Sequence, residues 1–309
     1  MLQLRAQILA QIRGFFADRQ VLEVETPALS TAGVSDPALE QMQVRTAGGG
    51  TFYLQTSPEF SMKRLLAAGS GDIYQICRVY RDAELGRWHE PEFSMLEWYR
   101  LGWDEERLML EVESLLETLL RPRRRLDASV HLSYRDAFLE FLSVCPTAGE
   151  DELRVALAAQ AIDVPAGLGK DSLLDLALSQ AVLPRLNPNA ATFIFDYPPS
   201  QASLAKLRLK ETPVAARFEL FLGGVELANG FAELTDANEQ RHRFELELRQ
   251  RRHAGLSEAP MDGDFLEALR HGLPTCAGVA VGVDRLLAVL ADADRVADTM
   301  AFPRAPTAV

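Results

Sequence analysis

Two adjacent glycines, Gly223 and Gly224, separate two strand-like runs in Arg217-Phe-Glu-Leu-Phe-Leu-Gly-Gly-Val-Glu-Leu-Ala-Asn-Gly230. Two adjacent glycines between strand-like runs suit a two-residue turn, so the run predicts a tight antiparallel hairpin. In that register Phe221 lies opposite Glu226, and Glu219 opposite Ala228. Both glutamates then share a face as diagonal neighbours, roughly 7 to 8 Å apart at the backbone, which suits carboxylates bracketing Mg²⁺ on the phosphates of ATP. A solvated sheet face carrying like charges has the same spacing, so the hairpin alone leaves both readings open.

The rest of the chain mixes helical and strand patterns. Leu4, Ile8, Ile12, Phe15 and Phe16 recur at helical spacing and predict an opening helix that ends near Asp18 to Gln20. Val21 to Pro27 reads as extended chain, and Thr51 to Gln55 as a short strand after the Gly48-Gly49-Gly50 turn. Ser57-Pro58-Glu59 predicts a helix start, with Ser57 as cap and Pro58 in the first turn, leading into Phe60 to Ala68. Tyr74 to Arg81 and Phe93 to Tyr99 read as strands and Glu105 to Leu120 as a long helix. Arg121-Pro-Arg-Arg-Arg125 then opens a stretch with two or three short helical patterns. This stretch, about 121–190, is expected to be a small, mainly helical peripheral insertion in a single domain. Thr192 to Tyr197, Phe218 to Leu222 and Val225 to Ala228 return to strand character, and Val279 to Val283 runs into a final helix from Asp284.

Composition narrows the function classes. At 309 residues the chain can bury one sizeable core, and its net charge of -12 argues against a surface built to grip a nucleic-acid backbone. Cys77, Cys145 and Cys276 are odd in number and far apart, which predicts reduced thiols rather than a disulfide framework or a clustered metal site. No apolar stretch approaches the roughly 18 to 20 residues that span a bilayer, so a cytoplasmic chain without a membrane partner is expected.

Two more segments carry chemistry. Tyr80-Arg-Asp-Ala-Glu-Leu-Gly-Arg-Trp-His-Glu-Pro-Glu-Phe93 places Arg81, Arg87 and His89 between strands, a cationic density useful against a polyphosphate. Alternation on the second strand puts Phe93, Met95, Glu97 and Tyr99 on one face, an aromatic shelf with a carboxylate; a surface hairpin with ordinary core aromatics would read the same way. In Gly278-Val-Ala-Val-Gly-Val-Asp-Arg285 the same parity puts Gly278, Ala280 and Gly282 together as a small-residue floor. Arg285 falls in the first turn of the following helix, where a bound anion would explain a cation. The histidines show no ligand spacing.

Taken in order, Arg13-Gly-Phe-Phe through Pro27, Tyr80-Arg81 through His89 and Phe93, and Gly278 through Arg285 resemble the three signature motifs of class II aminoacyl-tRNA synthetases. Thr-Ser-Pro-Glu59, Pro-Glu-Phe93, Glu97-Trp-Tyr99, Gly-Val-Glu226-Leu-Ala-Asn229-Gly-Phe-Ala-Glu233-Leu and Phe302-Pro303 resemble lysyl-tRNA synthetases more closely. Ala280 stands at the middle glycine of the third motif, Pro198-Pro-Ser-Gln-Ala-Ser-Leu-Ala205 replaces the synthetase wording, and the first motif starts almost at Met1, so that no N-terminal anticodon-binding domain is expected. Those features are similar to the truncated paralogues that join (R)-β-lysine to a lysine of elongation factor P.

The resemblance implies an α+β fold, an antiparallel β-sheet flanked by helices, working as a homodimer with ATP and Mg²⁺ and forming an aminoacyl adenylate from β-lysine or lysine. It implies ATP contacts from Arg81, Asp82, Ala83, His89, Glu90, Phe93, Glu226, Leu227, Gly282 and Arg285, with Arg81 and Arg285 catalytic. Phe93 would stack on adenine, and Glu219 and Glu226 would ligate Mg²⁺. Substrate contacts fall to Ser57, Pro58, Glu59, Asn229, Ala280, Tyr99 and Glu233, the last two gripping the distal ammonium. Glu233 would face the wrong way on an unbroken strand, so a bulge at Gly230 is expected. The second motif reads Arg81-Asp82-Ala83 where the family has Arg-x-Glu, with Glu84 one place late. Elongation factor P is the expected acceptor, with tRNA disfavoured. A synthetase-like enzyme that charges tRNA, and a silent regulatory paralogue, are the alternatives.

Overall fold

Helix α1 (Leu2–Ala17) turns Ile8, Ile12, Phe15 and Phe16 inward, the residues whose spacing predicts it. The Phe16 ring stacks on Tyr74 at 4.4 Å between centroids and meets Trp98 edge-on at 5.2 Å. Gln20, at φ 56°, ends the helical run and releases the chain into extended backbone. A computed structural model describes residues 1–303 other than Ala83 and Lys210. The chain divides into two units, Met1–Asp104 with Leu234–Val309, and Glu105–Glu233.

The first unit continues through β1 (Leu22–Glu23), β2 (Leu29–Ser30), β3 (Gln43–Arg45), β4 (Thr51–Leu54), α2 (Glu59–Ala67), β5 (Ile73–Tyr80) and β6 (Glu92–Leu101). Strand β1 lies parallel to β5, β5 antiparallel to β6, and β4 sits between β2 and β3 in a separate sheet. Helix α2 departs from expectation by one position. Pro58 occupies the cap site and Glu59 opens the helix, while Ser57 Oγ accepts the Glu59 N–H at 3.1 Å.

In the second unit α3 (Glu105–Leu120) precedes β7 (Val130–Ser133), α4 (Tyr134–Leu142), α5 (Glu150–Ala159) and α6 (Lys170–Ala177). Then come β8 (Thr192–Tyr197), β9 (Leu207–Arg208), β10 (Val214–Leu222) and β11 (Val225–Ala232). Strands β11, β10 and β8 are antiparallel neighbours, β7 joins β8 in parallel, and β9 pairs with β10. Helices α4 to α6 bury Tyr134, Phe138, Leu153, Leu157, Leu173 and Leu174 with Ile194 and Tyr197 of β8, one continuous apolar core.

The hairpin forms with Gly223 at φ 61° and Gly224 at φ 76°, the I′ signature, and Phe221 pairs with Glu226. Beyond that pair the expected register fails. An irregularity between Leu220 and Phe221 gives β11 an extra residue, so Leu220 pairs with Ala228, and Glu219 with Asn229 rather than Ala228. The inserted residue restores parity: Glu226, Asn229 and Glu233 now fall on one face, the face of Glu219. The extra residue is thus Leu227 and not, as expected from the sequence, Gly230, which pairs regularly with Phe218.

The chain returns to the first unit through α7 (Ala237–Ala254), α8 (Gly263–Gly272), β12 (Cys276–Gly282) and α9 (Val283–Leu290). Asp236 caps α7 by accepting from Asn238 and Glu239 N–H groups, and Gly255 at φ 69° closes it. Strand β12 runs antiparallel to β6. The architecture is α+β, dominated by antiparallel ladders with helices against them.

Candidate functional site

The expected residues fall into two groups, one per unit. In the first unit β6 is paired on both sides: Phe93, Met95, Glu97 and Tyr99 face Val79, Cys77, Gln75 and Ile73 on β5, and the last three face Gly282, Ala280 and Gly278 on β12. Paired residues of an antiparallel ladder point to the same side, so the aromatic shelf and the small-residue floor are one surface. Ala280 sits directly opposite Glu97. Both Glu97 and Tyr99 are 2% exposed, and the Tyr99 hydroxyl donates to Glu97 Oε1 at 2.6 Å. Burial, followed by the charge of Glu97, pushes the Cys77 thiol up to about 12, so Cys77 is a neutral neighbour of that carboxylate.

The loop between β5 and β6 folds back on Arg285. Arg285 Nε donates to the Trp88 carbonyl at 3.1 Å, and another guanidinium nitrogen lies 2.8 Å from His89 Nε2. A guanidinium has no acceptor, so His89 presents a neutral Nε2 lone pair. Burial first, then the Arg285 charge, holds the His89 ring below its ordinary value. Arg81 places its guanidinium carbon 5.3 Å over the Phe93 ring, lies 3.8 Å from Glu84 and donates to the Thr56 carbonyl at 3.4 Å. Glu84 thus reaches Arg81 from one place beyond the position where the family carries its glutamate. Ala83 lies outside the described residues. Asp82 is tied by its N–H to the Glu40 carbonyl at 2.8 Å, and Glu90 is buried. Gly282 leaves ordinary van der Waals space beneath the Arg285 stem, whose nearest carbons stand 3.6 to 3.7 Å from an added Cβ.

Glu59 is engaged before any substrate arrives. Its Oε1 accepts from Lys63 Nζ at 2.6 Å, one helical turn on, and Lys63 is 1% exposed. Its charge therefore balances a buried ammonium.

In the second unit Glu219 accepts from the Tyr197 hydroxyl through Oε2 at 2.7 Å and from Arg217 through Oε1. Burial raises the Glu219 carboxyl above its ordinary range; Arg217 opposes this, and the charge of Glu226 adds to it. The two carboxylates form a hard-oxygen donor set, and a cation bound with phosphates takes one or two carboxylates, so the pair fits Mg²⁺. Among the described residues Asn229 Oδ1, opposite Glu219, is buried without a hydrogen-bond partner. Glu233 is 3% exposed and bridges to Ala205. Leu227 is 1% exposed in the extra position of β11, so only its backbone is placed to meet a ligand.

Tyr197 and Arg217 are the residues that sequence reasoning missed. Parity puts Arg217 on the face of Glu219, a usable signal. Nothing in the sequence links Tyr197 to a carboxylate on the neighbouring strand. Among the described residues no helix is long and apolar enough to cross a membrane.

The model of the tRNA synthetases class II (D, K and N) family matches residues 1–306. The elongation factor P–(R)-β-lysine ligase of Yersinia enterocolitica is 48% identical over 97% of this chain and 93% of its own length. The ligases of the same name from Pectobacterium atrosepticum and Proteus mirabilis are 47% and 48% identical, over 96% and 97% of this chain and 93% of their own.

Proposed function

The chain belongs to the class II tRNA synthetases (D, K and N), and from that premise we propose that it is an ATP-dependent ligase that activates (R)-β-lysine, or lysine, and joins it to a lysine side chain of elongation factor P. The observation that carries this reading is the near full-length similarity to ligases of that name. The Arg81, His89 and Arg285 cluster and the buried Glu97 and Tyr99 beside Ala280 support it chemically.

In the first half-reaction a carboxylate oxygen of the amino acid attacks the α-phosphorus of ATP, and pyrophosphate leaves with the electron pair of the broken P–O bond. Arg81, stacked beside Phe93, holds the α-phosphate and the incoming carboxylate while Phe93 takes the adenine; Arg285, steadied by His89 and Trp88, holds the distal phosphates. Glu219 and Glu226 would hold Mg²⁺, which would supply charge neutralisation on the phosphates. Glu59 takes the amino group nearer the carboxylate, and Tyr99 with Glu233 takes the distal ammonium, where a buried carboxylate rewards a charged partner. In the second half-reaction the acceptor amine attacks the acyl carbon, AMP leaves, and the amine gives up a proton as the amide forms. The expected assembly is a homodimer.

Exchange of labelled pyrophosphate into ATP tests the first half. The reading expects exchange that depends on β-lysine and is lost in Arg81→Ala. Exchange absent with every amino acid would make the chain a binding protein instead.

A further inference from the structure

A second chain of contacts in the Glu105–Glu233 unit ends on Glu219. Helix α6 carries Asp171 and Asp175 one turn apart, on one face. Asp171 Oδ1 accepts from Ser200 Oγ at 2.6 Å, and Asp175 Oδ1 accepts from Gln201 Nε2 at 2.7 Å, which pins the short turn Pro199–Gln201 to the helix. The backbone carbonyl of Gln201 accepts from Arg217 Nη1 at 2.6 Å, and Arg217 Nη2 donates to Glu219. The guanidinium is a rigid planar fork, so fixing one nitrogen aims the other. Its central carbon also lies 4.5 Å over the ring of Tyr197, the other donor to Glu219.

We propose that helix α6 is a positioning element for the Glu219 carboxylate, acting through Asp175, Gln201 and Arg217, so that the segment expected to be a peripheral insertion sets the geometry of the acidic pair. The inference rests on the reading of Glu219 as a ligand of the nucleotide-bound metal. A carboxylate held on both oxygens by a charged and a phenolic donor keeps one rotamer, and outer partners of this kind govern how well a ligand meets its metal. Asp175 and Gln201 act on Glu219 through Arg217.

Binding of Mn²⁺ with ATP, followed by electron paramagnetic resonance without amino acid, tests the proposal alongside the Mg²⁺ dependence of pyrophosphate exchange. Asp175→Ala and Gln201→Ala are expected to weaken Mn²⁺ binding and raise the Mg²⁺ needed for half-maximal exchange by about tenfold, the low end of the roughly 10–100-fold cost of losing an outer partner. Asp175→Asn, which keeps an acceptor oxygen for Gln201, should recover most of that loss. Ser200→Ala breaks only the neighbouring tie and should leave the metal dependence in place. Gln201→Ala preserves helix α6 and the carbonyl, so it stays informative if Asp175→Ala fails to fold. Unchanged metal dependence in both alanine variants, or an equal shift in Ser200→Ala, overturns the positioning role. Glu219→Gln separates the two claims: if it binds Mn²⁺ normally, the ligand reading itself falls; if it loses binding while Asp175→Ala and Gln201→Ala keep it, only the role of α6 falls.

Discussion

Replacing Tyr197 by phenylalanine removes one oxygen from a side chain that is 2% exposed and whose hydroxyl donates to Glu219 Oε2 at 2.7 Å. Volume is conserved, so the loss is that of the bond. A hydrogen bond to a charged acceptor contributes roughly 1.5–3 kcal/mol, and because Arg217 still serves the other oxygen we expect the lower end, about 1.5–2 kcal/mol. Urea unfolding followed by far-ultraviolet circular dichroism reads this directly. The pH dependence gives a sharper test. Burial, opposed by Arg217 and reinforced by Glu226, raises the Glu219 carboxyl above 4.5, and the Tyr197 bond pulls it back down. A folded value above the unfolded one means that the folded chain keeps an extra proton across the interval, so this group's contribution is fully present below the unfolded value and is lost as pH rises through the folded one. Phenylalanine lifts the folded value further, so the variant's deficit should be full on the alkaline side of the folded value and narrow as the carboxyl becomes protonated. A deficit under about 0.5 kcal/mol on the alkaline side of that transition, or one that does not narrow on acidification, would refute the claim that Tyr197 holds an ionised Glu219.

Phe16→Ala removes a fully buried ring packed on Tyr74 and Trp98 and should cost about 3–5 kcal/mol in the same unfolding assay; a cost below about 2 kcal/mol would mean that the cavity collapses or that the packing is loose. For His89 the folded value lies below 6.5, so the unfolded chain takes up more protons across that interval: stability rises with pH through it and is lost as pH falls toward the folded value. His89→Gln should flatten that slope, and an unaltered slope would show that the Arg285 contact does not depend on a neutral ring. Ala280→Gly removes the methyl opposite Glu97 and should raise use of α-lysine relative to β-lysine by about tenfold, the low end of what one methylene decides in a pocket, measured by pyrophosphate exchange; an unchanged ratio would place selectivity elsewhere.

Much of this surface was legible because strand parity is a local property. Gly278, Ala280 and Gly282 alternate along one strand and Met95, Glu97 and Tyr99 along another, and the structure pairs the two sets residue for residue. The turn at Gly223-Gly224 was legible for the same reason. The extra residue in β11 was not: Leu227 is an ordinary buried leucine, and the strand next to it decides the register. Helix α7 was missed because its pattern is too polar to signal a face. Its buried residues are Gln240, Phe244 and Arg251, and Arg251 is held by the carbonyls of Asp36 and Leu39, which follow more than 200 residues earlier in the chain. The Tyr197 contact to Glu219, and the tie from Asp175 through Gln201 to Arg217, are likewise products of tertiary packing between elements whose local patterns say nothing about each other.

The central claim is that the activated amino acid is delivered to a protein amine. Incubating the chain with ATP, Mg²⁺ and labelled (R)-β-lysine in the presence of both elongation factor P and tRNA, then separating the two acceptors and treating each with mild alkali, tests it most directly. The account predicts label on elongation factor P that survives alkali, as an amide does, with AMP and pyrophosphate formed alongside. Label on tRNA that alkali releases, with none on elongation factor P, would contradict it.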